Sequence, residues 1–355
     1  MNAPRSQTGL SLVELMVTMV LGLVLLLGLT QIFLASQQGY RVQQSNSRLQ
    51  DSSRYAMDYL TRTLRLADFW GGVEAADLSG NPGTIGRAGA TVCVQAWVND
   101  VRRGIRGYDG AATPPLDCIV AADYVPNSDM VVVRYADPDV FQTNAQMQAD
   151  YNAAPSSKDV FVRALPGRGG RLFNLSDWNT VKTQVGTGAL TEDDVSNLRY
   201  RASVIFLRPC STKAGTNCTS SDDAGNPLPT LVSADLTPNG TSNPRLVQNA
   251  IAENVEQMQM DYGIDLNGDF AADTYRSAAG INDGLSGTGA TPPLWDQVIT
   301  ARIGLVIRGD SKDGFSDTES YNLPGGYTYT PKVEDQRYQR RLIIKEVQIR
   351  NRVRQ

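Results

Sequence analysis

The sequence predicts an α+β chain: one long amino-terminal helix, apolar in its first half and amphipathic in its second, packed on a head rich in antiparallel sheet and long loops. Three observations carry this. Apolar residues crowd into the first 35 positions. No proline stands between Gln31 and Pro82, so nothing forces the amphipathic stretch to break. Beyond it, short runs rich in β-branched and aromatic residues alternate with Gly, Ser, Thr, Asn and Pro. Averages conceal this division, because 355 residues at 41% hydrophobic and 20% charged describe an ordinary globular protein. With 33 Lys+Arg against 37 Asp+Glu, net charge -4, a generally basic nucleic-acid binder is excluded. The absence of histidine removes Ser-His-Asp, Cys-His and His-ligated zinc chemistry.

The first element starts at Leu10 and runs LSLVELMVTMVLGLVLLLGLTQIFLA, interrupted by a single full charge, Glu14. As a helix, about 26 residues cross a hydrocarbon core of roughly 30 Å. Arg5 and the amino terminus favour keeping the leader MNAPRSQTG in the cytoplasm. A cleaved secretory signal fits poorly, since Phe33-Leu34-Ala35 puts Phe where a small residue should stand. A plain signal anchor leaves the carboxylate of Glu14 without a purpose.

A third reading accounts for it. The block Gly9-Leu10-Ser11-Leu12-Val13-Glu14-Leu15 resembles the class III signal of type IV pilins and type II secretion pseudopilins, although the residue after the glycine is more usually Phe than Leu. The resemblance implies cleavage between Gly9 and Leu10 by a prepilin peptidase and N-methylation of Leu10. It also implies pairing of Glu14 with the positively charged amino terminus of a neighbouring subunit. A buried carboxylate is costly unless paired, which gives Glu14 a physical role.

Past Gln31 the pattern becomes amphipathic. Leu49, Ala56, Met57, Leu60, Leu64 and Ala67 recur at helical spacings, with Arg48, Asp51, Arg54, Asp58, Arg62 and Arg65 on other faces. Trp70-Gly71-Gly72 is the expected stop. Leu10 to Ala67 would make a helix of about 87 Å. Its first half must be covered by lipid or by other subunits, and its second half carries the one stripe needed to lie on a sheet. Gly22, Gly28 and Gly39 within it suit close helix packing or local melting during assembly. The expected divisions are a leader over 1–9, a membrane or filament-core helix over 10–35, its amphipathic continuation over 36–70, and a periplasmic head over 71–355.

Expected strands of the head are Thr91 to Trp97, Met130 to Tyr135, Asp159 to Ala164, Ala202 to Arg208, Val298 to Arg308 and Leu342 to Arg350. Long loops are expected over Pro209 to Pro244, Leu266 to Pro293 and Asp310 to Pro331. There is no internal repeat, and whether the head divides near Pro166 to Gly170 stays open. Four cysteines in an exported domain suggest disulfides, Cys93 with Cys118 and Cys210 with Cys218 by nearest-neighbour pairing; free thiols are the alternative. No C-x2-C spacing supports a metal site.

Asp265, Asn267, Asp269 and Asp273 fall at positions one, three, five and nine of a calcium-loop pattern. Phe270 replaces its turn glycine and Arg276 its bidentate glutamate, so the stretch fits either an incomplete, weak Ca2+ site or an Asx-rich turn ending a strand. No other cofactor is expected. Arg337, Arg340, Arg341, Lys345, Arg350, Arg352 and Arg354 form the one basic run, whose alternation with Ile343, Val347 and Ile349 fits a solvated strand face better than a DNA site.

Glu256 to Asp273, with a Tyr-Gly-x-Asp turn after a Val-x-x-Met-Gln strand, is similar to the PilW family of type IV pilus minor pilins. So are the helix Ser52 to Leu60 and the terminal strand Val347 to Arg352, whereas residues 75 to 245 carry no recognised motif. What the resemblance implies is a subunit acting by packing rather than catalysis. It would be anchored in the inner membrane with a periplasmic head, then join a filament, primed or capped with other minor pilins. Implied partners are minor and major pilins, prepilin peptidase, the inner-membrane assembly platform, a tip adhesin and the lipid bilayer; nucleic acid is not expected. A minor pseudopilin of a type II secretion system is the alternative in the same class. A membrane-anchored periplasmic enzyme is the distant one: without histidine it needs a carboxylate pair, a Ser-Lys dyad or a metal, and no motif places one.

Overall fold

A computed structural model describes residues 11–80, 91–184, 195–282, 294–312, 314 and 316–352. Helix α1 spans Leu12–Leu66, 55 residues without interruption. It ends before the expected Trp70-Gly71-Gly72 stop. Asp68 already takes a left-handed conformation (φ 65°) and turns its N–H to the carbonyl of Arg134, while Gly71 and Gly72, both at positive φ, carry the turn that follows.

The strands are β1 (Leu78–Gly80), β2 (Ile105–Tyr108), β3 (Met130–Gln142), β4 (Val160–Leu165), β5 (Gly169–Asn174), β6 (Ser196–Arg208), β7 (Thr230–Thr237), β8 (Arg245–Glu253), β9 (Val255–Ile264), β10 (Thr274–Arg276), β11 (Val298–Lys312), β12 (Tyr321–Asn322), β13 (Thr328–Tyr329) and β14 (Tyr338–Gln348). Short helices α2 (Gln95–Val98), α3 (Asn144–Ala153) and α4 (Trp178–Val181) join them. Eight strands make one sheet that branches at β6. One edge of β6 carries β3 and then β2, while the other carries β4, β5 and β1 along its first half and β7 and β8 along its second. Four strands in the order β10-β9-β11-β14 make a second sheet, antiparallel throughout. The pairing of β1 with β5 is parallel.

The second half of α1 fills the space between the sheets. Leu49, Ala56, Met57, Leu60, Leu64 and Ala67, the stripe read from the sequence, are at most 6% exposed. They share one core with Val131, Val133, Ile205 and Leu207 of the larger sheet and Met258, Met260, Ile303 and Leu305 of the smaller. The alternate residues Val132, Val204 and Phe206 point to the opposite face of the large sheet, where Trp70, Trp97, Val101 and Leu116 make a second core. Gly309 lets α1 approach β11, since a Cβ there would stand 2.6 Å from Ser45 Oγ.

Several expectations need correcting. Thr91 to Trp97 is not a strand: the chain turns into α2, with Cys93 tied to Cys118 and its N–H given to Asp117 at 2.7 Å. The segment Pro209 to Pro244 contains β7, whose Asp235, a poor strand former, is satisfied by Ser203, Ser233 and Asn249. Leu266 to Pro293 contains β10, and its residues 283–293 lie outside the described ones. Asp310 to Pro331 contains β12 and β13. Tyr262 and Gly263 continue β9 rather than turning, because β10 and β11 pair with them on both sides. Pro166 to Arg168, near which a division of the head stayed open, is the turn between the paired strands β4 and β5.

Candidate functional site

Two regions carry the residues singled out by the sequence. The first is the free half of α1. Every large apolar side chain from Leu12 to Leu34 is 48–78% exposed, and the most apolar 18-residue window of the helix reaches a mean hydropathy of 2.6. The head covers none of that window. Thr18 and Thr30 donate their hydroxyls to the carbonyls of Leu15 (2.9 Å) and Leu26 (2.7 Å), so they present no free polar group to an apolar surrounding. Around Gly22, Gly28 and Gly39 there is open space for a neighbour.

Ser11 is extended (φ -72°, ψ 148°) and caps the helix, its hydroxyl accepting the N–H of Glu14 at 3.3 Å. Ser11-x-x-Glu14 is therefore the helix start written in the sequence, a signal that weighing Glu14 for its charge alone misses. Its carboxylate has no hydrogen bond or ion pair among the described residues and lies in the first turn, where the helix dipole favours an anion. Gly9 and Leu10 lie outside the described residues.

The second region is the loop after β9. Asp265 accepts N–H groups from Asn267 (3.2 Å), Gly268 (2.6 Å) and Phe270 (2.9 Å). Burial raises the pKa of its carboxyl, but these backbone donors outweigh it and the net shift is downward. Asn267 Oδ1 accepts from Asp269 N–H, Asp269 from Ala271 N–H, and Asp273 from Leu266 N–H at 2.7 Å. Asn267 Nδ2 reaches both Asp269 and Asp273 at 3.3 Å. Asn267, Asp269 and Asp273 thus come together through their side chains, Asp265 takes backbone N–H groups of the same turn, and each of the four is engaged in closing it. This is the bonding of an Asx-rich turn.

Both disulfides form as paired from the sequence, Cys93–Cys118 and Cys210–Cys218. The small loop of the second is held further by Asp222 and Asp223, which accept N–H groups from Ser211, Thr212, Ala214, Thr219 and Leu228.

The basic run does not form one solvated face. Arg341 and Lys345 are exposed, but the Arg340 side chain is 0% exposed, bidentate to Glu256 (2.6 and 3.0 Å) and 3.3 Å from Asp317. Tyr329 and Tyr321 donate to the same two carboxylates. This network pins the segment between β11 and β14 across the outer face of the small sheet, where Pro324 packs over Gly304. Arg354 lies outside the described residues. At the end of the chain, Asn351 donates to the carbonyls of Arg65 (3.1 Å) and Ala67 (2.9 Å), and Arg352 pairs with Asp68 at 2.6 Å. The terminal segment, expected as a strand to Arg352, leaves the sheet at Gln348 and caps the open end of α1.

A bare apolar half-helix that starts at the Ser11 cap with Glu14 in its first turn, joined to a sheet head that buries one stripe of the other half, defines a pilin-like, type IV pilus-related protein. Residues 4–30 match the family model described as Prokaryotic N-terminal methylation motif, and residues 218–351 match the one described as Type IV Pilus-assembly protein W. The two matches agree with a prepilin-type protein of the PilW family. No curated protein and no solved structure matches the chain.

Proposed function

We propose that the protein is a minor pilin-like subunit of a type IV pilus, cut after Gly9 by prepilin peptidase, methylated on Leu10, and joined with other minor pilins to prime or cap the filament. The observation that carries this is the division of α1: the head buries an apolar stripe along one half and leaves the apolar side chains of the other half uncovered. Such a half-helix is stable in lipid and then in an apolar filament core, and moves between them without exposing itself to water. Glu14, which has no ion pair among the described residues, guides register by meeting the amino terminus of the next subunit. The head stays in the periplasm until assembly, held on the helix by the stripe from Leu49 to Ala67 and the cap at Asn351.

A chromosomal deletion scored for surface pili, twitching and protein secretion tests this reading. Loss of pili with secretion intact is expected; loss of secretion with normal pili would move the subunit to a type II secretion system. Replacing Gly9 by a bulky residue should abolish processing in the same strain, seen as retention of the nine-residue leader by intact-mass spectrometry.

A further inference from the structure

The apolar run of α1 stops where the base of the head comes back to the helix. Leu12 to Leu34 makes about 34 Å of helix, slightly more than a hydrocarbon core of roughly 30 Å. Ser36, Gln37 and Gln38 follow, and then Tyr40, 68% exposed, an amphipathic ring of the kind that settles at a membrane–water boundary. With the apolar run in lipid, this stretch lies at the level of the headgroups. The head meets it there: a Cβ on Gly314, just past the end of β11, would stand 3.8 Å from Gln38 Nε2.

Between the helix and the base of the head lies a cleft of about 390 Å³. Its helix wall carries Leu34 and Val42 with the amides of Gln37 and Gln38, and its head wall carries Lys312 and Arg337. No carboxylate lines it among the described residues, and the neighbouring Asp310 is engaged by Arg48. The Lys312 ammonium stands 5.5 Å from the centre of the Tyr338 ring and has no ion pair among the described residues. Cations beside an apolar wall, at headgroup depth, are complementary to a phosphate ester that carries acyl chains. Long cationic side chains gather at this level near the end of a membrane helix, because phosphate and water satisfy them there.

We infer that this cleft binds the phosphate of an anionic phospholipid, with Lys312 and Arg337 pairing the phosphate, Gln37 and Gln38 donating to its oxygens, and the first methylenes of the acyl chains lying along Leu34. The inference rests on the proposed function only for the placement of the apolar half of α1 in a membrane. One lipid bound in this way fixes the depth of the helix and holds the head down on the bilayer surface. It is released when the subunit moves into a filament.

The test is native mass spectrometry of the full chain, purified from membranes in detergent and offered dioleoylphosphatidylglycerol and dioleoylphosphatidylcholine in equal amounts. The expected result is one retained phosphatidylglycerol, favoured about tenfold over phosphatidylcholine. That preference should fall to near parity in the double variant Lys312→Gln/Arg337→Gln. It should survive in Arg341→Gln/Lys345→Gln, which removes the same charge from exposed positions outside the cleft. Equal retention of the two lipids, a preference that the first double variant leaves unchanged, or retention of inorganic phosphate in place of the lipid at the same concentration overturns the inference. Lys312→Glu, a single change at an exposed side chain, separates binding from folding. It should lose the preference at an unchanged melting temperature, and a folded Lys312→Glu chain that keeps the preference also overturns the site. A wild-type chain recovered from the soluble fraction indicts the proposed function, whereas a membrane-borne chain with no lipid preference indicts only this inference.

Discussion

Charge placement shows most clearly what single residues contribute. Arg340 is read from sequence as one member of a basic run, yet it is the hub of a buried network with Glu256, Asp317, Tyr321 and Tyr329. Its guanidinium pKa is raised: burial opposes the charge, but the bonds to Glu256 more than offset that. Arg340→Met should cost about 3 kcal/mol in denaturant unfolding of the purified chain, because it strands Glu256 and Asp317. The double variant with Glu256→Leu should recover part of the loss. Asp129 makes a pH-dependent case. It joins the sheets, accepting N–H groups from Gly110 (2.8 Å) and Met260 (2.7 Å) while its own N–H goes to Met258. Burial raises its pKa to about 7, against those two bonds and with help from Asp109 and Asp261. A folded-state pKa above the unfolded value means that the folded protein holds the proton more tightly. The stabilisation is fully present below the ordinary carboxyl range and fades as pH rises toward 7. Thermal melts from pH 5 to 8 should show a decline that is flattened in Asp129→Asn, whatever that variant's absolute stability; an unchanged slope would refute the assignment.

At the scale of elements, legibility followed periodicity. The stripe from Leu49 to Ala67 appears in the structure residue for residue, since apolar residues recurring at helical spacing over five turns fit a buried helix face and no strand. Strands β3, β4, β6, β11 and β14 were legible as apolar runs, but β7 and β8 were not. Ser233, Asp235, Gln248 and Asn249 make them look like loop, and side-chain partners within β7 and across to β6 and β8 let those polar groups sit in a sheet. Asn351 and Arg352 were equally invisible as caps, because their targets are nearly 290 residues away in sequence. The two disulfides give a graded prediction. Cys93–Cys118 spans 25 residues and Cys210–Cys218 spans 8, the latter around a loop already closed by Asp222 and Asp223. Replacing the first pair by serine should therefore destabilise the head by about 1 kcal/mol more than replacing the second, measured by chemical unfolding.

The whole molecule is organised around one helix with two solvents. Its second half packs one face on the head, its first half stands bare, and at the join near Ser45 the close approach of Gly309 is accompanied by the ion pair of Arg48 with Asp310. Glu14→Ala should leave membrane insertion intact, since the apolar span is unchanged, but reduce filament formation severalfold, as counted by electron microscopy. Truncation after Gln348 should speed hydrogen exchange over Leu60 to Ala67 while leaving β9 and β11 protected, because it removes the groups that satisfy the last carbonyls of α1. That cap also orders events in time. The helix leaves the ribosome nearly 290 residues before the side chains that finish its far end. The last turn of α1 therefore stays open until the sheet strands between it and its cap have been made.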